Sequence, residues 1–211
     1  MRVAAIVLTL TAVTAAPALA QTDKRIPMFA IDGRVFSAGL KADATTAENL
    51  GLALQDLPSR GNGLVGGAHV YPWRSTSMAL GVGAEFMVAR GSKQQETVQG
   101  EPVGTRVESR ITSFAPMVSI NFGHRDGWSY LSGGMGPLAY YTYTGELRPA
   151  ESPPRKATIN MGGGARWFFN HHLAFCFDVR FYLTRPEAIQ GEYPGRARQR
   201  ILVLSGGLAI K

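Results

Sequence analysis

The chain has a single cysteine in 211 residues, Cys176, so no internal disulfide and no cysteine-based metal cluster can form. Beyond its first twenty residues it lacks any uninterrupted apolar run approaching the length of a membrane-spanning helix. Low-complexity tracts and linkers that would divide it into two domains are missing as well. No basic helix or aromatic-basic motif accompanies its positive charge, which argues against a nucleic-acid partner. The glycine-rich stretches "SGGMGP" (Ser132 to Pro137) and "MGGGA" (Met161 to Ala165) precede no helix, so neither is a phosphate loop.

What is present starts with "MRVAAIVLTLTAVTAAPALA": a positive Arg2, an apolar core and the small-residue box Ala18-Leu19-Ala20, the pattern of a cleaved secretory signal peptide over residues 1–20. Without Arg2 the 22 basic residues fall to 21 against 15 acidic ones, a surplus of six. For an exported chain the natural counter-charge is an anionic lipid surface.

The remaining residues read as eight strands: Arg34 to Lys41, Gly63 to Tyr71, Met78 to Ala89, Arg110 to Phe122, Trp128 to Thr144, Ala157 to Phe169, Leu173 to Thr184 and Arg200 to Ile210. Long and short connections alternate strictly, with short turns at Pro72 to Ser77, Gly123 to Gly127 and Asn170 to His172. Long loops thus gather at one end and short turns at the other, the layout of an antiparallel up-and-down barrel. Leu173 to Leu183, "LAFCFDVRFYL", shows the two faces: Leu173, Phe175, Phe177, Val179, Phe181 and Leu183 alternate with Ala174, Cys176, Asp178, Arg180 and Tyr182.

The charges orient the barrel. Glu85, Arg166, Asp178 and Arg180 share strand faces with small residues, while the opposite faces carry bulky hydrophobes. An eight-stranded lumen holds little more than side chains, so the bulky face is expected outside, against hydrocarbon. A strand of about twelve residues, tilted about 40 to 45°, rises roughly 29 Å, enough to cross an apolar band about 25 Å tall. Aromatics gather near both strand ends: Tyr71, Trp73, Phe122, Trp128, Tyr130, Trp167 and Phe169 by the short turns, Tyr140, Tyr141, Tyr143, Phe181 and Tyr182 by the long loops, as interfacial girdles.

Signal peptide, eight amphipathic strands, short turns and long loops together resemble the small outer-membrane β-barrel proteins of Gram-negative bacteria over about Arg34 to Lys211. The resemblance implies residues 1–20 as signal peptide, 21–33 as an N-terminal periplasmic segment and 34–211 as the barrel domain. It further implies a monomer in the cell outer membrane, with outer-membrane lipids, lipopolysaccharide and the barrel assembly machinery as partners. The chain ends "LSGGLAIK", whereas such barrels commonly end in an aromatic residue.

Glu85, Arg166, Asp178 and Arg180 are expected to form an interior charge network, and Arg185, Arg196, Arg198 and Arg200 in the last long loop read as a contact for lipopolysaccharide phosphates. Catalytic, cofactor and metal sites are not expected. His124, His171 and His172 fall in the short turns, and the expected pairing sets Glu85 opposite Val65, four residues from His69, too far for a hydrolytic pair. Pro116 and Pro137, lacking a donor inside strands, predict β-bulges. The sequence reads as a non-enzymatic barrel acting through its external loops, with a narrow porin-like or lateral-opening transporter as the alternative.

Overall fold

The computed structural model describes residues 24–96, 102–145, 153–191 and 193–211. The expected signal peptide lies outside them. Eight strands form one closed ring in chain order: β1 (Phe29–Gly39), β2 (Arg60–Arg74), β3 (Met78–Glu96), β4 (Pro102–His124), β5 (Gly127–Thr144), β6 (Lys156–Phe168), β7 (Leu173–Leu183) and β8 (Arg200–Ile210). Every neighbouring pair is antiparallel, and β8 closes on β1 with Ile31 opposite Ile210 and Gly39 opposite Leu202. Closure leaves no unpaired sheet edge, which is what a strand wall needs to stand in hydrocarbon. No helix among the described residues is long and apolar enough to cross a membrane.

Strand β1 starts at Phe29, five residues before the expected Arg34, and draws part of the supposed N-terminal segment into the wall. Its alternation is complete, with Phe29, Ile31 and Val35 outward and Ala30, Asp32, Arg34, Phe36 and Ala38 buried inward. The β3–β4 hairpin extends above the rest of the barrel by several residue pairs. The first long connection holds a helix of about two turns, α1 (Ala44–Leu50), begun by Asp43, whose carboxylate accepts the Thr45 N–H at 3.2 Å. Gly51 ends it in the left-handed region at φ 65, where a side chain would be strained.

Outward positions are bulky and exposed all round the ring, among them Ile31, Leu64, Phe86, Val118, Leu131, Ile159, Phe177 and Leu204. Soluble monomers do not display a continuous apolar girdle of this kind. Inward, the barrel is layered. Nearest the long loops lies an apolar cluster of Phe36, Leu40, Val65, Met87, Ile111, Leu138, Tyr140 and Ile201. Charged residues occupy the middle. Near the short turns Ile26, Tyr71, Trp128 and Tyr130 form a second apolar cluster, with Trp128 stacked on Phe168 at 5.1 Å between ring centroids.

That layering corrects the expectation that large hydrophobes would not fit inside. Inward Gly63 and Gly81 leave the space: a Cβ on Gly63 would come within 2.8 Å of the Phe36 ring, and one on Gly81 within 2.9 Å of Tyr71. The facing of β5 is corrected as well. Arg125 and Asp126 alone make the β4–β5 turn, so Phe122 stands opposite Ser129 and Gly123 opposite Trp128. Trp128 and Tyr130 therefore point inward, and Leu131 and Met135 face out. Of the expected girdle aromatics, Trp73, Phe122, Trp167, Phe169 and Phe181 are exposed outside, whereas Tyr71, Trp128, Tyr130, Tyr140 and Tyr182 are buried.

Neither proline makes a bulge. Pairing between β4 and β5 is interrupted from Ser113/Leu138 to Met117/Gly134 and resumes in the same register, so Pro116 and Pro137 sit in a gap where their missing donors cost nothing. The register shifts occur at Val70/Trp73 and Lys93/Gln95 instead.

Candidate functional site: the barrel interior and its outer rim

Three guanidiniums and three carboxylates form the middle layer, each residue under 5% exposed: Arg34, Arg166 and Arg180 against Asp32, Glu85 and Asp178. Arg34 is the hub. Its Nε lies 2.8 Å from Asp32 Oδ1, its Nη2 pairs with Glu85, and its Nη1 stands 3.4 Å from Asp178 Oδ1. Arg180 donates to Asp178 Oδ2 at 3.0 Å and pairs with Glu85 Oε2 at 3.3 Å, while Asn160 and Ser132 accept its remaining N–H groups at 2.9 and 2.8 Å. Arg166 donates to Asp32 at 2.6 Å and lies 4.6 Å from the Tyr130 ring centroid. These contacts join β1, β3, β6 and β7, and the Arg180–Glu85 pair runs between opposite walls of the ring. Each of the six charges has an opposite charge within 3.4 Å, the condition under which buried charge is tolerated.

All four residues expected in the network thus come together, and Asp32 and Arg34 join them. Both are legible in retrospect: "FAIDGRVFSAG" alternates strictly once β1 is begun at Phe29. Gly162 and Gly164 make room on β6 for Arg180 and Tyr130. The Tyr130 hydroxyl donates to Asp178 Oδ2 at 2.9 Å. Glu85 stands opposite Gly67, two residues from His69, and His69 Nε2 lies 3.7 Å from Asp32 Oδ2 instead. Cys176 is buried on the inward side next to Ala174 and Ala209 as a small filler.

At the long-loop end, the last connection folds into a small hairpin bridged at Glu187/Arg196 and Gln190/Tyr193. This gives Arg196 a different place from the expected lipid contact. It is buried, pairs with Glu187 at 3.2 Å, donates to the Tyr140 carbonyl and lies 4.2 Å from the Tyr140 ring. Burial raises the Glu187 pKa above its ordinary value, and the opposing pull of Arg196 does not cancel it. Asp43 accepts the Ala197 N–H at 2.9 Å, tying the cap of α1 to this hairpin. Arg185, Arg198 and Arg200 remain exposed.

A closed eight-stranded ring with an apolar exterior and an ion-paired interior has one setting that satisfies both faces. The chain is a closed eight-stranded antiparallel β-barrel with the two faces of a transmembrane one. No family model and no curated protein matches it. Its fold is similar to Neisserial surface protein A, at 11% identity and TM-score 0.47 over 88% of this chain and 97% of that one. The attachment invasion locus protein Ail of Yersinia pestis is 9% identical with TM-score 0.43, over 86% and 95%. The N-terminal β-barrel domain of Pseudomonas aeruginosa OprF is 12% identical with TM-score 0.37, over 86% and 96%.

Proposed function

We propose that the chain is an integral protein of the Gram-negative outer membrane, without enzymatic activity, whose lumen is closed by its own side chains and whose long loops form an interaction surface. The observation that carries this reading is the contact of Arg34 and Arg180 with Glu85 across the ring, with apolar clusters above and below. An ion would have to displace partnered charges and pass both clusters. The barrel works as a monomer, inserted by the barrel assembly machinery. Arg185, Arg198 and Arg200 on the long-loop side would meet the phosphates of surrounding lipopolysaccharide.

Two measurements test the reading. The refolded chain should change electrophoretic mobility on boiling, and in planar bilayers it should pass no steady current. A stable open channel would refute the closed lumen and favour the narrow transporter.

A further inference from the structure

The outer wall of β2 to β5 carries a feature that the interior does not explain. Asn62, Arg90, Arg110 and Tyr141 stand opposite one another across these four strands on outward positions. One outward step toward the short turns the same strands carry Leu64, Val88 and Thr112, and the step after that Phe86 and Phe114. The apolar band therefore ends between Val88 and Arg90, over about 7 Å of strand.

Glu108 stands one outward step above and gathers the cations. Arg90 pairs with it, Arg110 Nη2 lies 3.6 Å and Arg106 Nε 3.9 Å from its oxygens, and the Tyr143 hydroxyl donates to it at 2.7 Å. Burial would raise its pKa, but hydrogen bonds from Arg90 and Tyr143 hold it below the ordinary value, so it is ionised at neutral pH. One carboxylate among three guanidiniums leaves a surplus of two positive charges. Arg110 Nε is a buried donor with no hydrogen-bond partner. Directly beneath Arg90 and Arg110 runs a groove of about 430 Å³ lined by Leu64, Val88, Thr112 and Tyr141.

We propose that this wall holds a phosphorylated lipid of the long-loop leaflet, its phosphate on Arg90 and Arg110 and an acyl chain in the groove between Leu64, Val88 and Thr112. A free anion would use only the cations, and an uncharged lipid only the groove; a phosphorylated lipid uses both at the height where head group meets chain. The inference rests on the chain spanning a membrane.

Native mass spectrometry of the full chain refolded in zwitterionic detergent tests it, with diphosphoryl lipid A, its dephosphorylated form and inorganic phosphate as probes. Diphosphoryl lipid A should bind at least tenfold more tightly than the dephosphorylated form, about the effect of losing one charge-assisted contact. R90Q/R110Q should abolish that preference, and T112W, which fills the groove from the lipid side, should weaken binding at least fivefold with every cation intact. R125Q, in the β4–β5 turn at the other end of the barrel, should change it less than twofold. Equal binding by R90Q/R110Q or T112W, an equal loss in R125Q, or full displacement by millimolar phosphate would each overturn the site. A wild-type chain whose mobility does not shift on boiling would overturn the membrane barrel itself, which separates the two failures.

Discussion

Replacing Arg34 by Met tests the interior most directly. Arg34 contacts Asp32, Glu85 and Asp178, and its loss leaves three carboxylates facing Arg166 and Arg180 in a layer where every residue is under 5% exposed. Breaking a buried ion pair costs about 3 to 5 kcal/mol, because the abandoned charge keeps its desolvation penalty without its partner. With a urea dependence of about 2 kcal/mol per molar, the unfolding midpoint should fall by about 2 M. Adding Glu85→Gln restores the balance at two against two and keeps a side chain that can accept from Arg180, so the double variant should recover at least half of the loss. The assay is urea unfolding in lipid vesicles, followed by tryptophan fluorescence and by gel mobility without boiling. A single-variant shift below about 0.5 M, about 1 kcal/mol at that slope, or a double variant as weak as the single, would refute a coupled network.

Three other outcomes are expected. Val118→Arg places a charge near the middle of the outward face of β4, where Val118 is 64% exposed, and should cost about 2 to 4 kcal/mol in vesicles; an unchanged midpoint would mean that this face does not meet hydrocarbon. Gly164→Ala sets a Cβ 2.2 Å from the Phe177 carbonyl and 2.7 Å from the Tyr130 hydroxyl, so β6 must shift and stability should fall by about 1 to 3 kcal/mol, read by the same urea titration. Glu108 should titrate below its ordinary 4.5 in carboxyl NMR of the refolded chain, and R90Q should move the midpoint upward. Because the folded pKa is depressed, the stability Glu108 contributes is complete above its unfolded value and is lost as the pH falls through the folded one. A midpoint at or above 4.5 would refute the gathering of arginines around it.

Much of the architecture can be read from the chain because the period of two is a local property. The alternation of "LAFCFDVRFYL" assigns Phe175, Phe177 and Phe181 to one face and Asp178 and Arg180 to the other wherever the strand lies. Loop lengths show which ends of the strands lie together. The gathering of Glu85, Arg166, Asp178 and Arg180 is legible for the same reason, since an eight-stranded ring has one narrow interior for every inward charge.

Register is different, because it depends on where the turn falls. The two-residue Arg125-Asp126 turn puts Trp128 and Tyr130 inside, and no periodicity within β5 distinguishes that pairing from one shifted by a single residue, which turns every side chain to the other face. Tertiary structure also decided the partners of Arg34, the burial of Arg196 under the last hairpin and the row of Arg90 and Arg110 beside Glu108. Each depends on contacts between residues distant in sequence. The sequence by itself determined that there would be a wall with one apolar face and charges on the other; only closure of the ring decided which charges meet, because their distances are set by strand stagger and not by spacing along the chain.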